Sequence, residues 1–246
     1  MKRGYRIALV FGISGFALIC FIFLRTDIFP KAWIFFFLCG MVGAIISYLF
    51  VVVTQYYTDY KYPPVRKMAK ASETGHATNI IAGLAVGMES TGFPVLIISV
   101  GVLVSYHLGN ATGITDIEGN LIGGLFGTAV ATMGMFCTGV YVLSMSGFGP
   151  IADNAGGIVE MSELSDSVRR ITDRLDAVGN VTKANAKGYS VGSAAMACFL
   201  LFRAFIDEVN IISKVKLVGV DITIPEVFIG GLIGSMTVFV FAAWAI

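Results

Sequence analysis

Six long stretches without a charged side chain constrain the fold of this 246-residue chain more than any other feature. A helix needs about 20 apolar residues to cross the hydrocarbon core of a bilayer. From these stretches we predict transmembrane helices at about 7–24, 32–54, 90–108, 121–145, 188–206 and 227–246. A further helix at 78–88 should lead into the third span, where Pro94 should either kink that span or mark its start.

The composition supports an all-α polytopic membrane protein. Hydrophobic residues make up 56% of the chain and charged residues 13%, with a mean hydropathy of +0.82. Soluble domains carry roughly twice that share of charge, so a soluble enzyme is disfavoured. The net charge of +1 offers no basic surface for nucleic acid. The four cysteines stand in apolar runs without metal-ligand spacing, which argues against a zinc site or a disulfide scaffold.

The distribution of lysine and arginine predicts the orientation in the membrane. With the N-terminus in the cytosol, twelve of the seventeen basic residues fall on the cytosolic side, as the positive-inside rule requires. They are Lys2, Arg3, Arg6, Lys61, Arg66, Lys67, Lys70, Arg169, Arg170, Arg174, Lys183 and Lys187. Two polar loops, at about 55–77 and 146–187, should then face the cytosol.

A polar stripe enters the fifth predicted span from the cytosolic side. If residues 171–188 are helical, one face about 80° wide carries five polar side chains. They are Asp173, Asp176, Asn180, Lys183 and Lys187. A solvated face with salt bridges explains the two aspartates adequately. It explains the two lysines poorly, because ionisable groups near membrane depth are costly and favour a functional role.

A second candidate lies at the end of the fourth predicted span, where Asp153 and Asn154 precede Ala-Gly-Gly. Carboxylates are oxygen ligands of the kind that Mg²⁺ uses when it bridges a protein to phosphate. These residues suggest a cytosolic site for a magnesium-complexed anion. An Asx-type turn that ends the span is an equally good interpretation of this motif alone.

Four segments closely resemble the membrane-bound pyrophosphatases, which hydrolyse inorganic pyrophosphate and pump ions. They read QYYTDYKY, ATNIIAGLAVGMEST, ADNAGGIVEM and ITDRLDAVGNVTKANAKGYSVGSAA. The resemblance covers about residues 40–246, and Lys183 after GNVT is similar to the potassium-independent type II proton pumps. It implies a sixteen-helix homodimeric protein of which this chain is a fragment with about six helices. It also implies an endomembrane location of the vacuole, acidocalcisome or Golgi type.

The resemblance assigns roles to four residues. Asp153 matches an aspartate that helps bind Mg²⁺ and pyrophosphate, and Asn180 matches the asparagine of the same site. Lys187 matches a lysine close to the substrate. Lys183 matches the position that decides potassium dependence, where a lysine places a fixed ammonium in place of the ion. The aspartates that activate water are expected outside this chain, so we expect no catalytic residue in it and no activity from it alone.

Two positions depart from the family pattern. Ser146 stands where an acidic residue is usual, seven positions before Asp153, and Val181 replaces a hydroxyl residue. Two alternative interpretations remain open from the sequence. One is a secondary transporter whose stripe binds an anionic solute near the membrane. The other is an inactive, truncated remnant of the pump. The sequence does not separate proton from sodium as the pumped ion.

Overall fold

A computed structural model describes residues 2–115, 119, 121–213, 217 and 219–245. In the described residues the structure is helical, with no strand longer than an isolated bridge between Thr115 and Leu121. The helices are α1 (Lys2–Phe23), α2 (Ala32–Thr58), α3 (Pro63–Ser72), α4 (His76–Glu89), α5 (Gly92–Asn110), α6 (Gly123–Met135), α7 (Gly139–Met161), α8 (Asp166–Ser213) and α9 (Pro225–Ala245). A short 3₁₀ helix, Phe136–Thr138, joins α6 to α7.

Among the described residues, six helical stretches are long and apolar enough to cross a membrane, in agreement with the six predicted spans. Most of their large apolar side chains are exposed, as expected where lipid is the solvent. Pro94 lies in the first turn of α5, where its missing N–H costs no helical hydrogen bond. Which face of the membrane each connection meets stays a prediction.

The helices extend well beyond the predicted spans. The segment 146–187, predicted as a cytosolic loop with a helix in its second half, is helical except for the connection between Met161 and Asp166. The loop predicted at 55–77 contains the end of α2 and all of α3. The predicted spans were given about the length that crosses a bilayer, but a helix can continue into polar sequence, where Lys, Arg and Glu are good helix formers.

The chain divides into two units, residues 1–200 and 201–246. In the first unit, α2, α5 and α6 pack closely, and one core cluster joins Phe36, Ile46, Val130, Met135 and Met196. Close approach of α2 and α6 depends on glycine. A Cβ atom on Gly43 would overlap the Ala131 carbonyl oxygen, and one on Gly134 would overlap the Gly40 carbonyl oxygen.

A second cluster packs α1, α2, α7 and α8 around Tyr5, Val51, Met145 and Tyr189. The buried Tyr5 hydroxyl lies 2.6 Å from Ser47 Oγ, which lies 3.2 Å from Thr138 Oγ1. These hydroxyl groups satisfy one another in a region without water, as buried polar groups must. The two clusters together fix the positions of α7 and α8, which carry the predicted site.

The second unit contains the end of α8 and all of α9. None of the described side chains of α9 is buried. An Asx-type turn precedes α9, because Asp221 Oδ1 accepts hydrogen bonds from the Thr223 N–H at 2.9 Å and from its hydroxyl at 2.8 Å. These two bonds lower the pKa of the Asp221 carboxyl.

Candidate functional site

The candidate site lies where α7 and α8 cross at two glycines. A Cβ atom on Gly149 would overlap Lys183 Cγ and would lie 2.9 Å from the Gly179 carbonyl oxygen. One on Gly179 would lie 3.3 Å from Ala152 Cβ. The two backbones therefore approach closely enough for a side chain of one helix to reach the next turn of the other.

The crossing brings Asp153 and Lys183 together. Lys183 Nζ donates a hydrogen bond of 2.9 Å to Asp153 Oδ2, across thirty residues of sequence. The aliphatic stem of Lys183 lies on Gly149, and 27% of its side chain is exposed, against 63% for Asp153. Such a partly buried, charge-assisted pair holds the ammonium in one place, while the other carboxylate oxygen stays accessible.

Asn180 lies on the same face of α8 but pairs with its own helix. Its Nδ2 donates a hydrogen bond of 3.2 Å to Asp176 Oδ2, one turn earlier. Asp176 Oδ1 is buried and has no hydrogen-bond partner among the described residues. Within that part of the chain no hydrogen bond joins Asn180 to Asp153. The predicted site is therefore assembled as two polar pairs rather than one cluster.

Lys187 and Lys183 both line a groove between α7 and α8 with a volume of about 460 Å³. Ser146, Ser190 and Pro150 line it as well. Lys187 is exposed and forms no ion pair among the described residues. Two ammonium groups and two hydroxyls in one groove make an environment suited to an anion.

Asp173 has the surface role that a solvated helix face predicts. Arg169 Nε lies 4.0 Å from Asp173 Oδ2, one turn away, and Arg169 also pairs with Glu160 on α7. All three side chains are at least half exposed. Exposed pairs of this kind contribute at most about 1 kcal/mol, so we assign Asp173 no role in the site.

The Asx-turn interpretation of Asp153 is wrong, because α7 continues through this residue to Met161. Gly156 and Gly157 lie inside the helix, and a Cβ atom on either would meet no atom within 4 Å. The two glycines thus leave the helix surface beside Asp153 uncovered.

Sequence reasoning missed Asn185, whose side chain is 1% exposed. Its Oδ1 and Nδ2 have no partner among the described residues. It lies on the face of α8 that packs against α2, where Gly188 meets Thr54 and Gly192 meets Phe50. The available signal was an amide placed among small and apolar residues at helical spacing.

The described residues offer oxygen ligands for a cation without forming a complete cage. No group of three Asp, Glu, His or Cys side chains gathers in this part of the chain. Asp153 keeps one carboxylate oxygen free of hydrogen bonds, and the Asn180 amide oxygen has no donor among the described residues. A carboxylate and an amide fit Mg²⁺, which commonly takes one or two protein ligands and completes its shell with water and phosphate.

Comparison with known proteins shows similarity over the whole chain. The family model described as inorganic H+ pyrophosphatase matches residues 1–246. The pyrophosphate-energized membrane proton pump 3 of Arabidopsis thaliana is 57% identical over 245 residues, which are 100% of this chain and 30% of the relative. The K(+)-insensitive pyrophosphate-energized proton pump 2 of Moorella thermoacetica is 55% identical over 215 residues, 87% of this chain and 31% of the relative. The chain spans about 30% of the length of these curated relatives.

Proposed function

Because this chain belongs to the inorganic H+ pyrophosphatase family, we propose that it supplies the α7–α8 site of a membrane pump that hydrolyses inorganic pyrophosphate and moves protons. The observation that carries the proposal is the pairing of Lys183 with Asp153 across the α7–α8 crossing. It unites two of the four sequence segments that resemble this family. Proton movement would run from the cytosol to the lumen of an endomembrane compartment, through a homodimer.

Asp153 and Asn180 are the residues that would hold Mg²⁺ together with pyrophosphate. When bound, the metal neutralises phosphate charge and assists the attack of water. Asp153 would orient the complex through its accessible oxygen, since Lys183 already occupies the other oxygen. Lys187, which is exposed in the groove that Lys183 also lines, would neutralise phosphate charge as hydrolysis proceeds.

Lys183 would serve as a fixed cation in the place of a potassium ion. Its ammonium is held by Asp153, and its stem is held by contact with Gly149. A compact ammonium has a charge and role similar to those of the ion. Relatives from Moorella thermoacetica and Methanosarcina mazei are named K(+)-insensitive pyrophosphate-energized proton pumps, which supports this assignment.

The sharpest test is a chimera in which this chain replaces the matching segment of the Arabidopsis thaliana relative, since the match covers the whole chain. In sealed vesicles with Mg²⁺, the chimera should release phosphate from pyrophosphate and acidify the interior. Asp153→Ala should reduce both rates by at least about 100-fold, because an electrostatic contact to the reacting phosphates is lost.

Asp207→Ala is the control, because it removes a carboxylate of α8 that pairs with Arg203 at 3.1 Å on an exposed surface. Its rates should stay near those of the parent chimera. Unchanged turnover in Asp153→Ala would contradict the assignment of the site. Uptake of an anionic solute driven by an ion gradient, without release of phosphate, would instead favour the secondary transporter.

A further inference from the structure

An apolar groove runs along α1 and is separate from the α7–α8 site. It lies between α1 and α6 with a volume of about 520 Å³. Phe11, Gly15 and Phe16 line one side, and Val130 and Met133 line the other. None of the residues that line it is charged. In a membrane such a groove is filled by hydrocarbon, because no water is present to occupy it.

The groove becomes basic at the N-terminal end of α1. A second depression of about 430 Å³ is lined by Arg3, Arg6, Ile7, Val10 and Phe11. Phe11 lines both depressions, so the basic depression adjoins the apolar one. The Arg3 and Arg6 side chains are exposed. Arginine at a membrane surface attracts anionic lipid headgroups and binds phosphate with several donors.

Polar side chains extend the basic end further. Arg6 also lines a cavity of about 200 Å³ whose walls include the Tyr48 and Gln55 side chains. The basic end therefore offers a guanidinium group, a phenol and an amide to the same headgroup region. Such groups donate hydrogen bonds to phosphate and glycerol oxygens.

The apolar lining continues from Phe11 as far as Leu24, so the groove is longer than one leaflet, and its part between Arg6 and Phe16 is enough for one acyl chain. From Arg6 to Phe16 the helix rises about 15 Å, at 1.5 Å per residue. Half of a hydrocarbon core of about 30 Å is also about 15 Å. A lipid whose phosphate lies at Arg6 would thus extend an acyl chain along Phe16 to the middle of the bilayer.

We propose that this groove, lined by Arg3, Arg6, Phe11, Gly15, Phe16 and Met133, binds an anionic phospholipid of the surrounding bilayer. The phosphate lies on Arg3 and Arg6, and one acyl chain lies against Gly15 and Met133. The inference does not depend on pyrophosphate hydrolysis, because its evidence is the shape and charge of the groove.

Two glycines of α1 give the groove its form. A Cβ atom on Gly12 would lie 2.5 Å from the Cys137 carbonyl oxygen, so this glycine sets the contact of α1 with the 3₁₀ helix. A Cβ atom on Gly15 would meet no atom within 4 Å. A large side chain at position 15 should therefore fill the space meant for the acyl chain without disturbing the helix contact.

The test uses the whole chain, reconstituted in vesicles of equal parts phosphatidylglycerol and phosphatidylcholine and then examined by native mass spectrometry. We expect bound phosphatidylglycerol in excess over phosphatidylcholine. Gly15→Phe should abolish the bound lipid of both kinds. Gly234→Phe in α9, where a Cβ atom also meets nothing within 4 Å, is the matched control and should keep it.

A second pair of variants tests the headgroup. The double variant Arg3→Gln, Arg6→Gln should lose roughly 25-fold in preference for phosphatidylglycerol, at about fivefold per arginine. Arg25→Gln removes one charge at the other end of α1, where its guanidinium lies over Phe21, and should keep the preference. If only Arg25→Gln removes the preference, the headgroup assignment is wrong.

The proposal fails if the parent chain binds both lipids equally, or if Gly15→Phe leaves bound lipid unchanged. It also fails if Gly15→Cys forms a disulfide with a second copy, because the groove would then be a protein interface. If the chain cannot be purified alone, the same variants in the chimera decide. Absence of bound lipid from the parent chimera would overturn the proposal.

Discussion

At the scale of single residues, Gly149 determines where the Lys183 ammonium lies. The stem of Lys183 passes directly over this glycine, and the Gly179 carbonyl oxygen lies behind it. Asp153, one turn further along α7, then receives the ammonium at 2.9 Å. The glycine needs no unusual backbone angle here. Because it has no side chain, the stem of Lys183 can occupy the space beside it.

We therefore expect Gly149→Ala to destabilise the α7–α8 crossing and to move the lysine away from Asp153. Overpacking of a tight contact typically costs about 1–3 kcal/mol. Thermal unfolding of the purified chain in detergent should show the loss. Gly147→Ala is the control on the same helix, since its Cβ atom meets nothing within 4 Å. Equal stability of the two variants would argue against the contact.

The contact of Asp153 with Lys183 could be anticipated from the sequence only through a resemblance. Helical periodicity aligns residues along α8, but it does not show which face meets α7. That depends on the crossing at Gly149 and Gly179, which joins segments thirty residues apart. Asn185 was missed for a related reason, because its burial depends on α2 and not on its neighbours in sequence.

At the scale of elements, the junction between α6 and α7 is held by a side chain from α8. In the 3₁₀ helix the Gly139 N–H donates to the Phe136 carbonyl, which leaves the Met135 carbonyl without its usual donor. The Tyr189 hydroxyl donates to this carbonyl at 2.7 Å. One phenol thus satisfies a backbone group that has no water available.

We expect Tyr189→Phe to lower the free energy of unfolding by about 0.5–1.5 kcal/mol, because a buried hydrogen bond to the Met135 carbonyl is lost. Tyr60→Phe, which removes a hydroxyl from a tyrosine that is 62% exposed, should change it by less than about 0.5 kcal/mol. The measurement is thermal or denaturant unfolding in detergent. A loss of equal size in both variants would contradict a specific role for the Tyr189 bond.

The existence of the helices was predictable, but their ends were not. A stretch without charge that is long enough to cross a bilayer can be identified from the sequence without knowledge of tertiary contacts. The ends of α7 and α8 depend instead on where backbone hydrogen bonds stop, and charged residues such as Asp153 and Lys183 lie inside these helices. The helical placement of Lys183 was predicted, whereas Asp153 lies inside α7 and not in a turn at its end.

At the scale of the whole molecule, the role proposed for Lys183 predicts how a pump that contains this segment depends on K⁺. We expect the chimera with the Arabidopsis thaliana relative to hydrolyse pyrophosphate at nearly the same rate with and without K⁺. Phosphate release in otherwise identical Na⁺ and K⁺ buffers measures this. Lys183→Arg keeps a charge but changes its shape, and serves as the comparison. A several-fold stimulation of the parent chimera by K⁺ would contradict the role proposed for Lys183.

The contact of α2 with α6 has a mechanical consequence. At Gly40, Gly43 and Gly134 the two backbones are in direct contact, so no side chain can change rotamer to absorb a displacement. The two helices therefore form a rigid pair. The flexible point of this unit is then the 3₁₀ helix, where α7 leaves α6. A movement of α7 relative to α6 would therefore occur at Phe136–Thr138, next to the hydrogen bond from Tyr189 that holds this junction.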